Sequence, residues 1–187
     1  MDDIARFLLE MGVLKNVKRS GWWMAGVKDP ETVAEHSHRT AIIGYFLAKK
    51  EGADAERVMK MCLFHDIAEA RVNDLHKVGQ RYIDHMETEK KVLEEQFSSL
   101  PKDISKELME LMKEFHDGKT KESIIAKDAD YLENAIQAKE YRDAGYKLTE
   151  EWMENIRKLL KTNSAKEILD KVSESSDNWW KGLKKLD

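Results

Sequence analysis

The sequence predicts an all-α protein, a compact bundle of several helices. Only two prolines, Pro30 and Pro101, and nine glycines occur in 187 residues, so long helices are permitted almost everywhere. No stretch alternates apolar and polar side chains over more than a few residues, which leaves almost no strand signal. Apolar residues recur at helical spacing instead, beginning with Ile4, Phe7, Leu8 and Met11.

The elements follow in order. A first helix is predicted over Asp3 to Leu14, and Lys15 to Pro30, with Gly21, Gly26 and Trp22–Trp23, reads as loop. Thr32-Val33-Ala34-Glu35 is a capping box and opens a helix to about Lys50. Gly52 ends it, and Asp54 caps the next helix, about Ala55 to Ala70. Its run Val58, Met59, Met61, Cys62, Leu63, Phe64 predicts a buried, central element. Arg71 to Asp84 reads as irregular, followed by helices at about 84–98, 103–117 and 121–143. After Gly145, Thr149 is expected to cap a helix to about Lys161. Ser164 with Glu167 forms a second capping box for a helix to about Val172. Trp179 and Trp180 are expected to dock on the domain or on a partner.

Length favours one domain, 1–187. The net charge of −4 gives no positive field for nucleic-acid backbones. Cys62 alone cannot form an intrachain disulfide; it reads as a buried apolar filler in a cytoplasmic protein. The longest apolar run, Ala41 to Ala48, is too short to span a bilayer, and Asp2, Asp3 and Arg6 argue against a signal peptide.

Three polar clusters interrupt this pattern: Glu35-His36-Ser37-His38, His65-Asp66-Ile67-Ala68-Glu69, and Asp128-Ala129-Asp130. On a helix, His65 and Asp66 sit about 100° apart, close enough to converge on one ion. They end an apolar run, where buried charge is costly unless paired or metal-bound. Glu69 falls on the same face one turn on, where it can reach a water beside that ion.

This order of motifs resembles the HD-domain metal-dependent phosphohydrolase superfamily. The wording Arg19-Ser20-Gly21-Trp22, Pro30 to Ser37, His65 to Glu69 with Asp74, and Ala129-Asp130-Tyr131-Leu132-Glu133 is similar to its 5′-deoxynucleotidase branch. The likeness covers about residues 5–145. It implies a multi-helix HD-domain bundle whose single divalent ion is held by His36, His65, Asp66 and Asp130. It implies a catalytic role for Glu69 on the attacking water and phosphate binding by Arg19. Trp22 would help shape the sugar and base pocket, and Asp74 would hydrogen-bond the deoxyribose hydroxyl. The insertion of Ser20-Gly21 leaves Trp22 or Trp23 for the aromatic role, and Asp130 is preferred over Asp128 because the Asp-x-Leu-Glu wording fits there.

Two imidazoles and two carboxylates make a mixed nitrogen–oxygen site suited to Mn, Co, Ni, Fe, Zn or Mg. The reaction expected is attack of water on a 2′-deoxyribonucleoside 5′-monophosphate, releasing nucleoside and phosphate. The expected partners are that small molecule and a second copy of the chain in a homodimer, with no nucleic-acid polymer and no membrane. His38, His76, His85 and His116 read as packing or surface residues, Lys77 as solvated, and Arg142 as pairing along its helix. Glu133, three residues past Asp130, can contact a ligating histidine.

Overall fold

The computed structural model describes residues 3–175 and 179–184, and the chain there is helical with no strand among the described residues. Residues 1–2, 176–178 and 185–187, the remainder of the span read as one domain, lie outside the described residues.

Helix α1 covers Asp3–Met11 and tightens into a 3-10 turn over Gly12–Lys15. The segment read as loop contains a single helical turn, α2, at Gly21–Met24. Around it the chain doubles back, with one antiparallel bridge between Lys18 and Thr32. The Arg19 amide donates to the Glu31 carbonyl at 3.0 Å, and the Val33 amide to the Val17 carbonyl at 2.9 Å. This clasp fixes the point from which the Arg19 side chain departs.

Helix α3, Val33–Glu51, starts at the predicted capping box. The Glu35 amide donates to Thr32 Oγ1 at 3.2 Å, and the Thr32 amide to Glu35 Oε2 at 2.6 Å. It stops at Gly52, whose φ of 67° is left-handed. Helix α4 begins after Asp54, which accepts from the Glu56 and Arg57 amides. The helix expected to reach Ala70 ends instead at Phe64. His65 Nδ1 donates to the Cys62 carbonyl at 2.8 Å, the acceptor that the Asp66 amide would use in a continued helix. Tighter turns follow, with the Glu69 amide on the Asp66 carbonyl at 3.1 Å, before α5 at Glu69–Val72.

After an irregular stretch come α6, His85–Ser98, and α7, Lys102–Asp117. Helix α8 covers Lys121–Asp143, α9 Glu150–Leu159 and α10 Asn163–Glu174. Two expected caps differ. The Thr149 hydroxyl donates to the Ala138 carbonyl at 2.9 Å, tying the α9 start to α8 rather than capping it. Helix α10 is capped by Thr162, not Ser164: Thr162 Oγ1 accepts from the Ala165 amide at 3.3 Å. Buried Asp128 decides this, accepting the Thr162 amide at 2.6 Å and hydroxyl at 2.7 Å.

Helices α3, α4 and α8 form the centre, and α9 and α10 pack on α8. Gly44 permits the closest approach there; a Cβ at this position would meet Cys62 Sγ at 2.7 Å. Cys62 is fully buried, and burial pushes its thiol well above the usual range, consistent with a filler. No helix among the described residues is long and apolar enough to cross a membrane. Trp179 and Trp180 do not dock on the bundle: they are 80 % and 54 % exposed and meet each other edge to face.

Candidate metal centre and substrate cleft

Three elements place four side chains at one point. His36 comes from the first turns of α3, His65 and Asp66 from the tight turn that ends α4, and Asp130 from α8. His36 Nε2 lies 3.3 Å from His65 Nε2, 3.1 Å from Asp130 Oδ1 and 3.7 Å from Asp66 Oδ2. His65 Nε2 lies 3.1 Å from Asp66 Oδ2 and 3.9 Å from Asp130 Oδ1. Neighbouring ligands on an ion at about 2.1 Å are themselves about 3 Å apart, so these separations match the edges of one coordination shell.

The outer nitrogens agree. His65 Nδ1 donates to a backbone carbonyl, which leaves Nε2 as the lone-pair nitrogen facing the cluster. His36 Nδ1 meets Glu133 Oε2 at 2.5 Å, with both side chains fully buried. Arg39 Nε holds the other Glu133 oxygen at 2.9 Å, while its terminal nitrogens bind Glu140 at 2.8 Å and Gln137 at 2.7 Å. Burial and the Arg19 charge oppose an imidazolium at His36, but Glu133 and Asp130 prevail and lift it to about 10. Burial would raise Asp66, yet His65, Arg19 and His36 hold it well below the usual carboxylate range. Ionised carboxylates around two inward-facing imidazoles would suit a divalent cation in place of the shared proton.

Glu69 and Arg19 face the same point. Glu69 is 7 % exposed, and its Oε2 has no hydrogen-bond partner among the described residues. Burial, with Asp66 and Asp74 nearby, raises its carboxyl well above normal. Arg19 donates to Asp66 Oδ2 at 2.8 Å and to Asn134 Oδ1 at 3.2 Å, and its Nε lies 3.8 Å from Asp74 Oδ1. Asp74 accepts the Ser20 amide at 2.6 Å and hydroxyl at 2.7 Å, so it positions the loop that carries Arg19.

His36, His65, Asp66, Asp130, Glu69, Arg19 and Asp74 thus come together. Trp22 is placed differently from the expectation. It is 1 % exposed, stacks on Trp152 with centroids 4.4 Å apart, meets Tyr141 edge-on at 5.1 Å, and donates from Nε1 to Glu31 at 2.9 Å. It braces α2 against α8 and α9 and lines no open cleft; Trp23 is 53 % exposed. Asp128 serves the α10 cap, His38 is exposed, and Lys77 bonds Gln80. Arg142 pairs with Asp143, as expected.

Sequence reasoning missed Arg39, Asn134, Glu31 and Glu89. Arg39 lies three residues after His36 and Asn134 four after Asp130, so helical spacing from each proposed ligand was the available signal. Glu89 sits on the inward stripe of α6 with Leu93 and Gln96, the signal being a charge at a core position. Burial and Asp66 push its carboxyl up to about 7.

An all-helical bundle in which histidine and aspartate side chains able to hold a metal ion converge from three central helices defines a class of helical domain. The HD domain family model matches residues 11–174, and the chain belongs to that family. It is 34 % identical over 158 residues to a 5′-deoxynucleotidase HDDC2 of Dictyostelium discoideum, covering 79 % of this chain and 82 % of that protein. A human protein of the same name is 32 % identical over 145 residues, 77 % of this chain and 71 % of its own. A solved structure of a conserved hypothetical protein from Pyrococcus furiosus superposes with a TM-score of 0.76 at 35 % identity, covering 90 % of this chain and 98 % of that one.

Proposed function

We propose that this protein is a metal-dependent phosphomonoesterase that hydrolyses 2′-deoxyribonucleoside 5′-monophosphates to deoxynucleoside and phosphate. The observation that carries the reading is the convergence of His36, His65, Asp66 and Asp130 beside a buried, unpartnered Glu69 oxygen and the Arg19 guanidinium. The names of the relatives above support the substrate class. A divalent ion held by the four ligands would lower the pKa of a water and offset charge on the phosphoryl group. Arg19 orients the phosphate through a guanidinium N–H. Glu69, whose buried Oε2 has no hydrogen-bond partner among the described residues, is placed to take the proton from the attacking water. Asp74 accepts a hydrogen bond from a deoxyribose hydroxyl and keeps the Arg19 loop in register. The donor set accepts Mn, Co, Ni, Fe, Zn or Mg.

The reading places the enzyme in the cytoplasm, in keeping with its single buried thiol, and as one domain acting as a homodimer. Ile42 and Phe46 on α3 and Met59 and Leu63 on α4 are exposed apolar side chains on packed neighbouring helices, a face suited to a second copy.

The test is a phosphate-release panel with added divalent metal, alongside metal analysis of unsupplemented protein. Phosphate should leave dAMP, dGMP, dCMP, dTMP and dUMP far faster than the ribonucleotides. Equal rates on both sugars would remove the deoxy selectivity, and no release from any nucleotide would remove the hydrolase.

A further inference from the structure

Asn134 stands on α8 one turn after Asp130 and has no part in the scheme above. Its Nδ2 lies 3.0 Å from the Asp130 carbonyl oxygen and 3.1 Å from Asp130 Oδ1, and its Oδ1 lies 3.2 Å from Arg19 Nη2. The chemistry of the partners fixes the direction of the amide. A guanidinium only donates, so the atom facing Arg19 is the oxygen. A carbonyl and a carboxylate only accept, so the group facing Asp130 is the NH2.

These contacts fall on particular oxygens. Asp130 Oδ1 is the oxygen 3.1 Å from His36 Nε2, and so the one turned to the cation position. Across the cluster, Asp66 Oδ2 lies 3.1 Å from His65 Nε2 and accepts from Arg19 Nη1 at 2.8 Å. One path of hydrogen bonds therefore runs between the two inward-facing carboxylate oxygens, from Asp66 through Arg19 and Asn134 to Asp130.

The path constrains both of its ends. A guanidinium held at one nitrogen can turn about that hydrogen bond. Held at Nη1 by Asp66 and at Nη2 by Asn134, its plane is fixed, and its remaining N–H groups keep one direction for a phosphate. Asp74, 3.8 Å from Arg19 Nε, adds charge rather than a hydrogen bond. At the other end, a donor on Asp130 Oδ1 limits where that oxygen can meet a cation, as partners of ligating carboxylates do. Asparagine is a poor helix former whose side chain competes for backbone bonds. Helix formation gives no reason for it at this point of α8; the two contacts do.

We propose that Asn134 is a positioning residue that joins the phosphate-binding guanidinium to the cation shell, holding the Arg19 plane through its oxygen and Asp130 Oδ1 through its nitrogen. This rests on the phosphomonoesterase reading and adds to it a residue that touches neither the cation nor the phosphate.

The test titrates manganese(II) into metal-free protein, and inorganic phosphate into protein saturated with manganese, for Asn134→Leu, Arg19→Ala and the double variant. Asn134→Leu should weaken manganese binding about tenfold and phosphate binding about five- to tenfold. In the Arg19→Ala background the same substitution should still weaken manganese binding but leave phosphate binding within about twofold, because its effect on phosphate passes through the guanidinium. A loss caused by altered folding alone would appear equally in both backgrounds. Asn134→Gln, which keeps both ends of the amide, should recover part of each loss, and Asn134→Ala takes the place of leucine if the larger apolar side chain prevents folding. Unchanged affinity for manganese or for phosphate in Asn134→Leu, or the same phosphate loss with and without Arg19, would overturn the proposal. Both titrations read without turnover. A parent protein that shows this pattern yet releases phosphate from no nucleotide would keep the positioning role and remove the hydrolase reading.

Discussion

The two walls of the cleft treat their polar groups in opposite ways. On the α3–α8 wall every charge is answered: His36 by Glu133, Glu133 by Arg39, and Arg39 by Glu140 and Gln137. On the α5–α6 wall the partners run short. The buried side-chain oxygens without a hydrogen bond among the described residues are Glu69 Oε2 and Gln96 Oε1, one on each of these two helices. Asn73, next to Asp74, has φ 61° and ψ 165°, a region that side chains other than glycine rarely occupy. A fully satisfied network fixes ligand orientation before a cation arrives. Unmet buried groups and local backbone strain cost stability that the rest of the fold bears, and they cluster at functional sites.

Replacing Glu69 by glutamine tests the open wall most severely. It removes the group assigned to proton transfer while keeping shape, so kcat should fall about 100- to 10,000-fold. Metal affinity and helical content should stay near those of the unmodified protein; a variant that lost its metal would make Glu69 a ligand instead.

The satisfied wall breaks differently. Arg39→Ala frees one oxygen of Glu133, which should weaken cation binding about 10- to 100-fold. Calorimetric titration of the metal-free protein reads this directly, and Arg39→Lys should recover part of it. Unchanged affinity in the alanine variant would reduce the network to a brace between α3 and α8.

Glu89→Gln carries the next largest effect, and it depends on pH. A carboxyl at about 7 in the folded chain, against an ordinary 4.5, binds its proton more tightly folded than unfolded. Stability therefore falls as pH rises from about 4.5 to about 7. Glutamine removes that loss, so metal-free Glu89→Gln should melt higher than the parent at pH 8 and no higher at pH 4.5. The gain, discounted for partial exposure, is of order 1 kcal/mol, or about 2–4 °C in a chain of this length. Equal melting shifts at both pH values would show that the carboxyl does not titrate in this window.

The smallest effect belongs to Asn73→Gly. Relief of about 1–3 kcal/mol of backbone strain is offset by about 0.5–1 kcal/mol of added chain entropy. Tm should rise by about 2 °C, while KM for the nucleotide worsens as Asp74 loses its fixed register. A lower Tm would mean that the Asn73 side chain stabilises this conformation.

Much of this molecule was legible from residue order. The capping box at Thr32, the stop at Gly52 and the cap at Asp54 formed as read, because each depends on contacts within four residues. Helix spans over 84–98, 103–117 and 121–143 held for the same reason. The break at His65 was not read because the apolar run before it rewards a continuous helix, whereas in the fold His65 Nδ1 takes the Cys62 carbonyl that the next turn would use. Trp22 was misplaced because nothing near it in sequence announces Trp152, 130 residues away by numbering, as its stacking partner.

By itself, then, the sequence determined the helical class and most of the helix ends, because periodicity and caps are properties of short stretches, and its family resemblance named the candidate side chains for a cation. Only the tertiary structure decided that Asp128 turns to the α10 cap while Asp130, the aspartate the wording favoured, faces the histidines, and that Arg39 secures His36 through Glu133. Those outcomes depend on how α3, α4, α8 and α10 pack, and side-chain separations of a few ångströms across distant helices are fixed by that packing, not by any local pattern.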